Sequence, residues 1–152
     1  MAIMQRGVAL ARLDHAVDLR RRRSREAAET MIDRARLLPP DDRALIEAVF
    51  RDGLPVARIA ALATGDSEPA DHSTRARTLR RRIRRLTTRL LSREYAFVAE
   101  QLADWSPTRR RVATACVLHG RSIRNAADEL RLSLHTVRCH RAAIAELVEA
   151  WS

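Results

Sequence analysis

Residues 73–93 read STRARTLRRRIRRLTTRLLSR, a stretch with nine arginines and no carboxylate. Leu79, Ile83, Leu86 and Leu90 thread it at spacings of four, three and four. On a helix these four side chains form one narrow apolar stripe, and Arg80, Arg81, Arg82, Arg84, Arg85 and Arg89 are left to the other faces. Such a helix buries one edge and offers a cationic surface. The remaining chain must provide a core for the edge and a reason for the charge.

The whole chain is basic in the same way. Its 152 residues carry a formal charge of +10, and all 29 basic side chains are arginine. Arginine presents a planar fork of donors that suits phosphate and the guanine edge, so the balance favours a polyanionic partner such as nucleic acid. A GC-rich coding sequence accounts equally well for the missing lysines, but not for the clustering. A chain of this length forms one domain or two small ones. Cys116 and Cys139 are too few for a disulfide scaffold and have no CxxC spacing, which fits a reducing compartment. No apolar run approaches the ~20 residues of a membrane span. Met1 to Val8 has no signal-peptide pattern, so a soluble cytoplasmic protein is expected. Period-two alternation is missing, and the expected class is all-α, with no membrane partner.

Taken in order, residues 1–37 form an N-terminal helical segment, with Leu13, Val17, Ala27, Ala28, Met31, Ile32 and Ala35 as inward positions. It carries the run Arg20 to Arg23 and offers a contact for a homodimer. Pro39-Pro40 closes it. Asp41 and Asp42 then open a helix through Leu45, Ile46, Val49 and Phe50, which stops at Gly53. A short helix from Val56 to Ala63 follows, then a polar loop, Thr64 to Asp71, then the arginine helix. Residues 92–104 read as a helical bridge, in which Tyr95, Val98 and Leu102, with Trp105 beyond, recur at spacings of three and four. Ser106 and Pro107 cap and start a helix reaching Gly120. Ser122 caps Ile123–Leu130, and Ser133 caps a last helix with the stripe Val137, His140, Ile144, Leu147 and Trp151.

The two halves register against each other. Pro40, Arg43, Leu45, Gly53, Val56 and Ala60 fall 67 residues before Pro107, Arg110, Val112, Gly120, Ile123 and Ala127. Farther on, Thr78, Leu79, Arg82 and Leu86 fall 58 before Thr136, Val137, His140 and Ile144, so the first copy carries nine additional residues between its second and third helices. Each copy reads helix, glycine, short helix, turn, longer helix, the plan of a helix-turn-helix unit. Residues 38–91 and 105–152 are the two units. In that plan the third helix locks onto the first two by its stripe and frees its opposite face for the major groove.

The second unit resembles the DNA-binding domain of LuxR-type transcriptional regulators. Leu132-Ser133, Thr136-Val137-Arg138, His140, Ile144 and Leu147 stand as in that family's L-S-x-x-T-V-K-x-H-x-x-x-I-x-x-K-L ending, and Arg110 stands where its opening carries glutamate. The first unit resembles region 4 of sigma-70-type RNA polymerase sigma factors through Leu38-Pro39-Pro40-Asp41-Asp42-Arg43 and Gly53-Leu54-Pro55-Val56-Ala57-Arg58-Ile59-Ala60. Pro55 replaces the usual capping serine there, and the insertion lengthens the turn. The resemblance implies a transcriptional regulator that binds double-stranded DNA, with RNA polymerase as a further partner. By position, Ser133 and Thr136 contact phosphate or cap the helix, and Arg138 takes the place of a DNA-contacting lysine. Leu134, His135, Cys139, Arg141 and Ala142 share the exposed side. In the first unit the expected DNA-binding residues are Arg77, Thr78, Arg80, Arg81, Arg82, Arg84, Arg85 and Arg89.

Other readings stay open. The first unit could dock on polymerase without reading DNA, or the arginine helix could grip RNA. A full sigma factor is disfavoured, because five aromatic residues leave no counterpart of the aromatic-rich domain that opens the promoter. His135 and Cys139 share a helix face, but two ligands do not make a zinc site, so no metal or cofactor is expected. No phosphate loop, paired-histidine motif or nucleophile elbow occurs, and an enzyme is not expected.

Overall fold

The computed structural model describes residues 24–63 and 69–151, and among them it is all-helical. The sequence expectations for Leu13, Val17, the run Arg20 to Arg23 and the stretch 64–68 lie outside the described residues. Helix α1 covers 24–35. It is followed by α2 (Pro40–Phe50), α3 (Val56–Leu62), α4 (Pro69–Leu90) and α5 (Arg93–Gln101), which ends in a 3-10 turn, Leu102–Asp104. The chain closes with α6 (Pro107–Ala113), α7 (Ile123–Leu130) and α8 (Leu134–Ala150).

The internal repeat is visible in the backbone itself. At the start of α2 the Arg43 amide donates to the Pro39 carbonyl at 2.9 Å, and at the start of α6 Arg110 donates to Ser106 at 2.9 Å. At the ends, Asp52 donates to Glu47 and Leu54 to Ala48, at 3.1 and 2.9 Å, matched by His119 to Thr114 and Arg121 to Ala115, at 2.8 and 2.9 Å. Every pair is 67 residues apart. These wide bonds satisfy the carbonyls that a helix end leaves open, and they require a left-handed residue after the last turn. Gly53 and Gly120 supply it, with φ of 65° and 66°.

Several boundaries differ from the sequence reading. The expected loop to Asp71 is shorter, because α4 starts at Pro69, whose fixed φ suits a first helical residue. Ser106 makes no side-chain cap, and Pro107 alone starts α6. The helix expected to reach Gly120 changes to a π turn over Thr114–Leu118. Ser122 and Ser133 do cap, accepting from the Asn125 and Thr136 amides at 3.1 and 3.0 Å, and Ser92 does the same for Tyr95 at 3.1 Å.

The main core does not belong to one unit. Met31 and Ala35 of α1, Leu45 and Ile46 of α2, and Leu86 and Leu90 of α4 meet Tyr95, Phe97 and Val98 of α5. Ala113, Val117, Leu118 and Ile144 join that same cluster from the second unit. A smaller cluster, Val112, Ala115, Ala126, Ala127 and Val137, belongs to the second unit alone. The bridge α5 is therefore a core element. Its Tyr95 hydroxyl donates to the Arg34 carbonyl at 2.8 Å, and Arg34 reaches back to the Leu90 carbonyl at 2.6 Å. Phe97, which the periodicity of the bridge passed over, lies 5.9 Å from Trp105 and 5.4 Å from Trp151, in tilted ring contacts.

The stripe expected on α8 shifts at its end. Val137 and Ile144 are fully buried, but Leu147 is exposed and Val148 packs on the core in its place. At 3.6 residues per turn, the position one turn beyond Ile144 falls nearer 148 than 147, and Trp151 continues that line.

Candidate nucleic-acid interface

On α4 the apolar edge is Ala76, Leu79, Ile83, Leu86 and Leu90, with Leu86 and Leu90 in the core. The opposite side carries Arg77, Arg80, Arg81, Arg84 and Arg85, all exposed and none in an ion pair among the described residues. Thr78 is exposed between them and donates its hydroxyl to the Thr74 carbonyl at 3.1 Å. Thr78, Arg81, Arg84 and Arg85 line an open cleft of about 400 Å³. Like charges one turn apart repel, so holding this cluster on one helix carries a cost that a polyanion relieves.

Two of the expected DNA-binding arginines on α4 are engaged inside the fold. Arg82 places Nε and Nη2 on the Asp42 carboxylate of α2, at 2.7 and 2.6 Å. Arg89 is mostly covered and donates from Nη1 to the His119 carbonyl at 3.2 Å, tying the end of α4 to the end of the π turn. Burial pushes its guanidinium below the usual arginine range; Asp42 and Tyr95 oppose the shift and Arg85 adds to it. Sequence reasoning had no signal for these partners, since Asp42 lies 40 residues from Arg82 and reads as an ordinary helix-start carboxylate.

The second unit presents the equivalent surface with different chemistry. Positions 58 after Arg77, Arg80, Arg81 and Arg84 are His135, Arg138, Cys139 and Ala142, and all eight are exposed. Ser133 and Thr136 share a hydroxyl contact at 2.8 Å at the helix start, beside exposed Leu134. His135 Nε2 and Cys139 Sγ lie 3.4 Å apart. No group of three ligating side chains suited to a metal occurs among the described residues. Arg138 has no ion pair among the described residues, whereas Arg141 is turned away in a two-pronged pair with Glu94 of α5, one contact at 3.0 Å. Glu94 was not singled out by its spacing. It faces Arg138, Arg141, Ala142 and Ala145 across an open groove of about 480 Å³.

The expected residues thus divide between those presented outward and Arg82, Arg89 and Arg141, which hold elements together. Among the described residues no helix is long and apolar enough to cross a membrane. No family model, no curated protein and no solved structure matches this chain.

Proposed function

We propose that this chain is a non-catalytic, double-stranded-DNA-binding regulator of transcription that applies two helix-turn-helix units to one duplex, in a cytoplasmic, nucleoid-associated setting. The observation that carries the reading is the exposed arginine face of α4, without an ion pair among the described residues, repeated at equivalent positions of α8 by a mixed face of His135, Arg138, Cys139 and Ala142. Phosphate neutralisation releases counterions and gives affinity for any duplex, so α4 supplies strength. Sparse polar and apolar side chains at a helix start discriminate base edges, so α8 supplies preference, with Ala142 suited only to a thymine methyl.

The test is competition for a labelled random-sequence duplex, followed by selection of bound sequences from the pool. Random DNA should displace the label far better than structured RNA or RNA polymerase, and the selected sequences should share a motif. Displacement by RNA at lower concentration than DNA would transfer the reading to RNA, and capture by polymerase alone would make the first unit a polymerase-docking element.

A further inference from the structure

Where the two units meet, a cleft of about 360 Å³ opens between the second half of α4 and the turn after the π segment. Arg82, Arg85 and Arg89 descend one edge of α4 at spacings of three and four, and Arg121 stands across from them beside Gly120. Two carboxylates are near. Asp42 Oδ1 is taken by Arg82, and Glu129 pairs with Arg121 at the rim, 3.3 Å away and half exposed. His119, which also lines the cleft, is held toward its neutral form by burial, with its Leu37 contact and Glu129 opposing and Arg121 and Arg89 adding to the shift. Four guanidiniums thus face two carboxylates.

The Arg89 fork is incompletely satisfied. Its Nη1 has the His119 carbonyl, but Nε and Nη2 are buried with no hydrogen-bond partner among the described residues, and the nearest Asp42 oxygen is 4.0 Å from Nη2. Unpaired buried donors on a charged group are costly, and they are rare unless something else completes them. The fork is also held in place by the backbone. A side chain at position 120 would run into the Arg89 guanidinium, and Gly120 sits there in the left-handed conformation. Exposed Arg85 lines the same cleft, one turn before Arg89.

We propose that this junction cleft binds a single phosphoryl group, which accepts from Arg89 and is flanked by Arg85 and Arg121. The group is either a free phosphate ester or a backbone phosphate of a duplex lying across both units. Three convergent arginines match the demand of a phosphate for charge-assisted, forked donors. The inference does not rest on the DNA reading, because the probe is inorganic phosphate.

The experiment uses the full chain, with melting temperature and calorimetric binding followed in inorganic phosphate and in chloride of equal ionic strength. Phosphate stabilises many proteins by exclusion, so the informative quantity is the increment that depends on the cleft. Phosphate should raise the melting temperature of the native chain and of Arg58→Ala alike, Arg58 being an exposed arginine of α3. Arg121→Ala and Arg85→Ala should each weaken phosphate binding by about tenfold or more. Equal increments in all four proteins, or no calorimetric binding, would overturn the site. If phosphate also displaces duplex and Arg121→Ala weakens every duplex equally, the occupant is a backbone phosphate. If phosphate binds and duplex affinity is unchanged, it is a free ester.

Discussion

At the residue scale, Tyr95 carries the clearest dependence on pH. It is fully buried, and burial pushes its phenol up to about 12, with Arg89 and Arg34 opposing the shift. A raised folded value means that the native state holds the proton more tightly than the unfolded chain. The associated stability is complete below pH 10 and is lost as the pH rises through 10 toward about 12. Tyr95 is the single tyrosine of the chain, so phenolate absorbance reads it alone, and its midpoint should coincide with alkaline loss of helix. Tyr95→Phe removes the bond to Arg34 and should cost about 1 kcal/mol at neutral pH by denaturant unfolding. The two repeat glycines form a second comparison. Alanine at Gly53, where nothing lies within 4 Å of the new carbon, meets only the left-handed backbone penalty of about 1 kcal/mol. Alanine at Gly120 adds displacement of Arg89, and should cost roughly 2 kcal/mol or more. Equal losses at the two sites would mean that Arg89 moves aside freely.

At the element scale, α4 separates side chains that build from side chains that are presented. Arg82→Ala leaves Asp42 without its hydrogen-bonded partner, with only Arg89 at 4.0 Å, and should lower stability by about 0.5–1 kcal/mol in thermal unfolding, whereas Arg84→Ala should leave stability within about 0.5 kcal/mol of the native chain. On duplex DNA, Arg81→Ala combined with Arg85→Ala should weaken all sequences alike. Arg138→Ala should instead change which sequences a random pool yields, and the reverse pattern would exchange the roles of the two units. The helices themselves were legible from spacing: Leu79 to Leu90 read as an inward edge, and the 67-residue offset led to both glycine turns. What escaped was set by tertiary contact. Nothing near Arg82, Arg89 or Arg141 in the chain points to Asp42, His119 or Glu94, since the partners lie 40, 30 and 47 residues away. Leu147 failed for a different reason. The line from Val137 through Ile144 leaves 147 and 148 nearly equivalent, and packing against the first core chose Val148.

At the scale of the whole molecule, the shared core is the organising fact. Ile144 of α8 lies in the same cluster as Leu90 of α4 and Met31 of α1, and Arg89 and Glu94 add polar ties across the junction. Under the proposed function, two surfaces joined through one core would address a duplex together, with the entropy of bringing the second into place already met. The proposed function has exposed arginines, without an ion pair among the described residues, set affinity through phosphates. The most direct measurement is therefore duplex affinity against salt concentration. With Arg77, Arg80, Arg81, Arg84 and Arg85 of α4 engaged on phosphates, log affinity should fall against log salt with a slope of about −4.5, flattening by about 2 when Arg81 and Arg85 are replaced by alanine. A slope near zero, or one that the double replacement leaves unchanged, would refute the assignment of α4 as the phosphate-binding face.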